Sequence, residues 1–243
     1  MALVTVLGAA LTGCGESGGK GEAAEPSKSR PSTVAYADLT KVPESLAQDG
    51  TTIIVGNPAA LVMVHLFEDP RCPVCKEYES TGGPVLSDWI VRGKARADYT
   101  LASFLDDRVG GGGSKRAVNA LRAALEQRKF AEYHAVLYRY QPEESVDGFT
   151  TERLLELAEK VDGLRGAAFD NAVKKMKYRK FVAASQEVYR KSGKGKDEPR
   201  GPGTPTAEIN GVRIPVDYSG VLYDKDAFAA MLTRAYKLMD SSS

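Results

Sequence analysis

The sequence predicts a mixed α/β fold, between the α/β and α+β classes, in which a helical subdomain interrupts a small sheet. Short β-branched and apolar runs begin at Thr52 and Leu61, helical periodicity follows Gly113, and a hairpin signal lies at Asn210. The chain has 243 residues, 42% of them hydrophobic, which suits one globular domain of ordinary size. A formal net charge of +1 gives no indication of nucleic-acid binding, and we expect no nucleic-acid partner.

The N-terminus resembles an export signal. Residues 2–13 are small or apolar and uncharged, and the run is shorter than the roughly 20 residues needed to span a bilayer. Residues 11–14, Leu-Thr-Gly-Cys, resemble a bacterial lipobox. The resemblance implies a signal peptide at 1–13, lipidation of Cys14 and a place at the extracytoplasmic face of the cell membrane. The absence of Lys or Arg before the apolar run departs from such signals, and a disordered start with an incidental cysteine is the alternative.

A polar segment follows this signal. Residues 15–33 contain no large apolar side chain, so they cannot bury enough surface to offset the entropy of ordering. The sequence therefore predicts a flexible tether at residues 14–34 and a globular domain at residues 35–243.

The first half of the domain is predicted as two strands, a helix and a third strand. Thr52–Val55 is a β-branched run before a turn, and Leu61–Phe67 is almost wholly apolar, as in a central strand buried on both faces. Pro73 suits the first turn of a helix, where its missing N–H costs nothing. Gly-Gly-Pro at residues 82–84 predicts a break or kink in that helix, and residues 97–104 alternate as a strand.

A helical subdomain is predicted next. Apolar residues recur at helical spacing over residues 118–137, Thr150 suits a helix N-cap, and residues 169–189 predict one or two further helices. A crossover between parallel strands needs only about a dozen residues. The helical insert, about residues 112–195, is therefore an inserted subdomain.

A hairpin and a helix complete the chain. Residues 206–209 and 212–214 are short strands around Asn-Gly at 210–211, and Asp224 suits the N-cap of a final amphipathic helix. With the insert removed, the element order is that of a thioredoxin fold.

The Cys-Pro-Val-Cys motif at residues 72–75 lies at the predicted N-terminus of the first helix. A thiolate is the nucleophile in disulfide exchange, and helix N-terminal N–H groups and the helix dipole stabilise it. Arg71 and Lys76 add positive charge nearby. We therefore expect Cys72 to form the mixed disulfide and Cys75, one turn further in and more buried, to resolve it.

Two other uses of the cysteine pair stay open. The chain has three cysteines, so Cys14 and the pair account for all of them. A disulfide across so short a loop stabilises little. A zinc site usually takes four Cys or His ligands, and only His65 and His134 are available besides the pair. We therefore favour redox catalysis over a structural disulfide or a metal site, and expect no metal and no cofactor.

Three segments resemble DsbA-like thioredoxin-fold thiol:disulfide oxidoreductases. They are residues 67–75 (FEDPRCPVC), 203–206 (GTPT) and 132–134 (EYH), and the resemblance extends over about residues 34–239. It implies a cis bond before Pro205, which faces the cysteines, with Thr204 beside the sulfurs.

The resemblance also implies which residues act. Cys72, Cys75, Thr204 and Pro205 would form the catalytic site, and Pro73 and Val74 would join Thr204 and Pro205 in contacting substrate. We expect no metal ligand among them.

Two departures from the family bear on mechanism. The family often carries a buried acid that relays protons where this chain has Leu66. Glu68 or Asp69 substitutes for it, or both are solvated charges at a strand end. The dipeptide between the cysteines is Pro-Val, without a thiolate-stabilising histidine, which leaves the direction of electron flow open.

The sequence is therefore compatible with three functions. The first is a dithiol oxidase, or oxidase/isomerase, for exported polypeptide thiols and disulfides, recycled by an unidentified membrane redox partner. The second is an extracytoplasmic reductase, for instance one serving cytochrome maturation. The third is a tethered binding or assembly factor without turnover.

Several other residues receive no site role. The charged, glycine-rich segment at residues 191–203 borders a substrate groove or is a solvated loop. His65, His134, Tyr133 and Tyr138 are interpreted as packing residues.

Overall fold

The computed structural model describes residues 34–193 and 200–241. The expected signal peptide at 1–13, the lipidation site Cys14 and all but the last residue of the expected tether lie outside the described residues.

The described part of the chain holds one mixed sheet of six strands, in the order β1-β2-β4-β3-β5-β6. Strands β3 and β4 are parallel, and every other neighbouring pair is antiparallel. The strands are β1 (Glu44–Leu46), β2 (Ile53–Gly56), β3 (Val62–Glu68), β4 (Ala95–Leu101), β5 (Thr206–Ile209) and β6 (Val212–Arg213). The mixed α/β prediction is confirmed, although the sequence reasoning missed β1.

Strand β3 places the cysteine motif. It lies between β4 and β5, and its side chains Val64 and Leu66 are fully buried, as expected for a central strand. Phe67, near its end, pairs with Thr206 at the start of the antiparallel β5. The segment leaving β3 and the segment entering β5 therefore meet at one edge of the sheet.

Eight α-helices surround this sheet in the described residues. They are α1 (Pro73–Val91), α2 (Leu105–Val109), α3 (Gly113–Glu126), α4 (Phe130–Arg139), α5 (Thr151–Ala158), α6 (Ala167–Lys174), α7 (Arg179–Lys191) and α8 (Lys225–Asp240). Two 3-10 segments, Leu39–Lys41 and Val216–Leu222, complete the regular structure.

The predicted break in α1 is wrong. The helix continues through Gly82, Gly83 and Pro84 to Val91. Gly82 serves packing instead, because a Cβ there would lie 2.2 Å from the carbonyl oxygen of Leu222. The bare backbone of Gly82 lets the second 3-10 segment approach the helix.

Helices α2 to α7 lie between β4 and β5 in the chain; α3 to α7 pack onto the sheet through one continuous core, while Leu105 of α2 packs in a separate cluster with Cys72 and Cys75. Thr150 caps α5 through its side chain, as predicted. The Ser185 hydroxyl on α7 donates to the Leu101 carbonyl at 2.8 Å and accepts from the Leu101 N–H at 3.1 Å. This pair of bonds fixes α7 to the end of β4.

The two local signals near the C-terminus are confirmed. Asn210 and Gly211 both have positive φ, 49° and 81°, as a two-residue type I′ turn requires. Asp224 caps α8 by accepting hydrogen bonds from the N–H groups of Asp226 and Ala227.

Candidate active site

The cysteine pair lies at the first turn of α1. Cys72 is the N-cap residue, Pro73 is the first helical residue, and both cysteines are free thiols. Cys72 is 6% exposed and Cys75 is 0% exposed. The chain turns tightly before the helix, since the N–H of Cys72 donates to the Asp69 carbonyl at 2.9 Å.

The residues before β5 face Cys72. The Thr204–Pro205 bond is cis, as the family resemblance implies. The thiol of Cys72 donates to the Thr204 carbonyl at 3.2 Å. The structure thus brings Thr204 to Cys72 although 132 positions separate them in the chain.

The two thiols differ in proton affinity. The Cys75 thiol, the Thr204 side chain and the N–H groups of Cys75 and Val74 stabilise the Cys72 thiolate and lower its pKa to about 7, although burial opposes them. Burial raises the pKa of Cys75 well above its ordinary value. Cys72 is therefore the sulfur that ionises near neutral pH.

The expectation that Arg71 adds positive charge beside Cys72 needs correction. Its side chain is buried and bonds to Asp106 at 3.0 Å, with further bonds to the carbonyls of Gly110 at 2.7 Å and Glu144 at 2.8 Å. Its charge is balanced by Asp106, so it holds loops together. Lys76 does lie exposed on the first turn of α1.

A network from the helical insert also holds the loop before Cys72. The Gln141 side chain donates to the carbonyls of Pro70 at 2.8 Å and Cys72 at 2.9 Å. The Asp69 carboxylate accepts from the Ser114 hydroxyl at 2.6 Å and the Leu105 N–H at 3.1 Å. The geometry of the loop therefore depends on residues far away in the chain.

Behind the cysteines lies a buried acid. Glu68, at the end of β3, is 0% exposed, and so is Asp69, which corrects the alternative that these are solvated strand-end charges. Burial raises the pKa of Glu68 to about 8. Its carboxylate is near enough to Cys75 for its negative charge to contribute to the raised pKa of that thiol.

Two side chains link Glu68 to the surface. His134 on α4 hydrogen bonds through Nε2 to Glu68 Oε2 at 2.9 Å, and its Nδ1 lies 3.8 Å from Glu79 Oε2 on α1. Glu79 has 13% of its side chain exposed and lines a cavity of about 870 Å³ between α1 and α4. Burial, with the nearby charge of Glu68 second, raises the pKa of Glu79 to about 8, and burial lowers the pKa of His134.

In the described chain, Glu68, Glu79 and His134 also form a cluster that could hold a metal ion. One ligand atom from each of Glu68, Glu79 and His134 lies within 4.8 Å of the others. The raised proton affinity of both carboxyl groups favours a proton-holding cluster, because a metal ion binds deprotonated ligands.

Sequence reasoning treated His134 as a packing residue and did not consider Glu79. Glu79 follows Cys75 by four positions, which places both on one face of a helix, and that spacing was an available signal. His134 is indeed packed among Tyr99, Phe130 and Tyr138, yet it also holds Glu68.

A groove of about 1050 Å³ opens over Cys72. Pro73 and Val74 are exposed along it, Thr204 lines it, and Pro205 lies in a small neighbouring cavity. The other walls come from α2, α7 and the segment before Thr204 and include Phe104, Leu105, Arg108, Tyr189, Arg190 and Arg200.

The remaining candidates lie apart from this groove. His65 bonds through Nε2 to the Thr100 hydroxyl at 2.8 Å and stacks on Phe67. The Tyr133 hydroxyl donates to the Leu154 carbonyl at 2.7 Å. Tyr138, in contrast, packs with both cysteines and donates to the Asp69 carbonyl at 3.3 Å.

A family model described as thioredoxin matches residues 48–222 of the chain, well over half of its length. No curated protein matches it. The described residues include no helix with the length and apolar character needed to cross a membrane.

Three solved structures with the same fold are distant in sequence. BdbD from Bacillus subtilis is 22% identical, with a TM-score of 0.62 over 76% of this chain and 92% of that one. MdbA, a thiol-disulfide oxidoreductase from Corynebacterium diphtheriae, is 18% identical, with a TM-score of 0.60 over 80% and 93%. Reduced DsbA from Mycobacterium tuberculosis is 21% identical, with a TM-score of 0.56 over 80% and 98%. At these identities the likeness concerns the fold.

Proposed function

This chain belongs to the thioredoxin family, and we propose that it is an extracytoplasmic thiol:disulfide oxidoreductase acting through Cys72 and Cys75. In this proposal it works as a dithiol oxidase on exported polypeptides. One observation carries it: the Cys72 sulfur, with its pKa lowered to about 7, lies at a groove beside Thr204, while Cys75 is fully buried behind it. Such a pair has one attacking and one resolving sulfur.

The oxidase reaction consists of two successive thiol–disulfide exchange steps. A substrate thiolate attacks the Cys72 sulfur of the oxidised pair, the Cys72–Cys75 bond breaks, and a mixed disulfide forms. The Cys75 sulfur leaves with the electron pair and takes up a proton, since burial raises its pKa. A second substrate thiolate then attacks the substrate sulfur and releases Cys72. The substrate loses two electrons and the pair gains them.

We propose that Glu68 supplies the proton that the departing Cys75 sulfur takes up. Because burial raises its pKa to about 8, Glu68 is protonated at neutral pH and gives its proton to the departing Cys75 sulfur. In the reverse direction the ionised Glu68 takes that proton back. Glu68 thus fulfils the role that the resemblance assigns to an acid at the position of Leu66.

His134 and Glu79 continue this route to water. His134 contacts both carboxyl groups, and Glu79 reaches the cavity between α1 and α4. Neither cysteine lines the cavity between α1 and α4. A substrate bound in the groove over Cys72 therefore leaves this cavity open to water.

The place of action is proposed from the N-terminal sequence. A lipobox at residues 11–14 supports lipid attachment at Cys14 and anchoring at the extracytoplasmic face of the bacterial membrane. The partners are then exported polypeptide thiols and disulfides, and a membrane redox protein that reoxidises the pair.

A specific observation favours a second candidate, an extracytoplasmic disulfide reductase. A pKa of about 7 at Cys72 matches the nucleophile of thioredoxin more closely than the strongly acidic thiol of DsbA, which is about 3.5. The Pro-Val dipeptide also lacks a histidine that would stabilise the thiolate further.

The reduction potential of the pair separates these functions. The protein is equilibrated with glutathione buffers and the fraction of free Cys72 and Cys75 thiols is measured. A value near about −120 mV supports the oxidase, and one near about −270 mV supports the reductase. The absence of a reversible dithiol couple, or full function in a Cys72→Ser variant, contradicts both and supports the non-catalytic binding factor.

A further inference from the structure

The turn between α6 and α7 carries a concentration of positive charge in a chain whose net charge is only +1. Residues 171–186 contain no Asp or Glu and five basic residues. All five are exposed, and we call them the basic turn: Lys174, Lys175, Lys177, Arg179 and Lys180.

The basic turn has no direct ion pairs in the described residues. The adjacent Asp170 is bound by Arg165 at 2.9 Å and interacts with Lys174 only at longer range. Elsewhere on the insert, Arg153 pairs with Glu156 and Arg190 with Glu187.

The backbone of the basic turn is fixed from beneath. Asn119 on α3 is fully buried; its side chain accepts from the Tyr178 N–H at 2.8 Å and donates to the Ala172 carbonyl at 3.2 Å. The Arg122 guanidinium lies 4.7 Å from the centre of the Tyr178 ring. The five charges are therefore displayed on a rigid support.

The shape and the residue types of the basic turn indicate which kind of anionic partner it fits. In the part of the chain that the structure describes, the cavities along α8, over Cys72 and between α1 and α4 are all lined by residues outside the basic turn. Four of its five cations are lysines, which act as point charges without the bidentate geometry of arginine. Such a surface suits a broad layer of negative charge more than a single bound group.

We infer that the basic turn docks onto the anionic headgroup surface of a lipid bilayer. This inference rests on the proposed membrane location, which brings the domain near that surface. Each basic residue close to an anionic bilayer strengthens binding by about fivefold, and salt screens the attraction. Docking and a lipid anchor together form a two-point attachment.

Docking at this turn orients the active site. Helix α7 begins in the basic turn, and its far end supplies Gln186, Tyr189 and Arg190 to the groove over Cys72. At 1.5 Å per residue, about 15 Å of helix separates Lys180 from Arg190. The groove is thus held at a set distance from the docked turn.

Vesicle co-sedimentation tests the inference. The full chain carrying Cys14→Ser, which has no site for the lipid, is mixed with phosphatidylcholine vesicles with or without about 30% phosphatidylglycerol. A variant with Lys174, Lys175, Lys177 and Lys180 changed to Gln is compared with a matched control. The control carries the same change at four exposed lysines elsewhere: Lys160, Lys191, Lys225 and Lys237.

We expect the parent and the control to bind the anionic vesicles, and the basic-turn variant to bind them more than about tenfold more weakly. Raising the salt from about 0.05 M to about 0.3 M should remove the difference. The inference is overturned if both variants lose vesicle binding equally, or if binding does not depend on phosphatidylglycerol. Displacement by inorganic phosphate but not by chloride at equal ionic strength also overturns it, in favour of a phosphate site.

Dithiol exchange with a soluble substrate is measured in the same preparations. It should be unchanged in the basic-turn variant, which also shows that this variant folds. A redox-inactive parent that still binds anionic vesicles through the basic turn would refute the proposed function and leave the docking surface standing.

Discussion

At the scale of single residues, the two active-site cysteines differ more in their partners than in their exposure. Both are nearly inaccessible, but hydrogen bonds to the Cys72 sulfur favour its thiolate while burial keeps Cys75 protonated. The Thr204 carbonyl lies 3.2 Å from the Cys72 sulfur and lines the groove over it.

The first prediction concerns the reactivity of this pair. In the reduced protein, alkylation of Cys72 by iodoacetamide should speed up with rising pH and level off above about 7, because only the thiolate reacts. Mass spectrometry should find Cys75 unmodified over the same range. A midpoint near that of an ordinary cysteine, or earlier modification of Cys75, would contradict the assignment of roles.

The second prediction concerns Glu68. When Cys75 attacks a mixed disulfide at Cys72, ionised Glu68 accepts its proton, so the rate should rise as pH rises through about 8. Glu68→Gln should slow this step by about 100-fold and abolish that inflection. Release of a fluorescent peptide from the mixed disulfide measures the rate.

Glu77→Gln is the matched control, since Glu77 is an exposed acid on α1, the helix that carries Cys75. It should behave as the parent protein does. If Glu68→Gln keeps the inflection near pH 8, another group accepts the proton.

The third prediction links the same acid to stability. The pKa of Glu68 is raised from 4.5 to about 8 in the folded chain, so the folded state binds its proton more tightly. That contribution is present below about pH 4.5 and is lost as pH rises through about 8. In Glu68→Gln, the fall in the free energy of unfolding between about pH 5 and 8.5 should shrink by about 4 kcal/mol.

Urea denaturation at the two pH values measures this difference. Glu79→Gln should reduce the pH-dependent fall in the free energy of unfolding by less, because part of the Glu79 side chain reaches water. An unchanged pH dependence in Glu68→Gln would show that this carboxyl is ionised in the folded protein at neutral pH.

At the scale of elements, helix α1 combines two requirements. Its first turn must present Cys72, and its middle must lie close to the 3-10 segment Val216–Leu222. Gly82 meets the second requirement, which is why a sequence typical of a helix break lies inside an unbroken helix.

The fourth prediction tests this packing. Gly82→Ala should lower the free energy of unfolding by about 1–3 kcal/mol, since its Cβ would meet the Leu222 carbonyl at 2.2 Å and the Tyr78 ring at 2.8 Å. Gly83→Ala is the control, as its nearest neighbour is the flexible end of Glu79 at 3.1 Å. It should change stability by less than about 1 kcal/mol in urea denaturation. Equal effects would contradict close packing at Gly82.

At the scale of the whole molecule, the helical insert and the sheet share one active-site loop. Arg71 joins Asp106 on α2 to the carbonyls of Gly110 and Glu144. Asp106 also accepts from the N–H groups of Ser114 and Lys115, so it holds the start of α3 as well. The loop before Cys72 thus depends on the insert for its shape.

The fifth prediction follows from this shared loop. Asp106→Ala leaves the Arg71 charge buried without its partner and should lower the free energy of unfolding by about 3–5 kcal/mol. Asp107→Ala removes an exposed ion pair with Lys115 and should cost less than about 1 kcal/mol. Urea denaturation followed by Trp89 fluorescence compares them. Similar small losses in both variants would show that the insert and the loop are not coupled through Arg71.

Features that depend on neighbouring residues were determined by the sequence itself. The Asn210-Gly211 turn and the caps at Thr150 and Asp224 form from groups within a few positions of one another. The placement of Cys72 at the start of a helix has the same local origin, so the cysteine motif could be found without coordinates.

Only the tertiary structure decided what surrounds that motif. Glu68 and His134 are 66 positions apart, and Arg71 and Glu144 are 73 apart, so no local pattern reveals that they meet. The proton affinity of a carboxyl group and the effect of a guanidinium depend on burial and on such distant partners. The sequence therefore determined which sulfurs are present and where the helix begins, while the fold decided which acid is buried near them and which charges are neutralised by a partner.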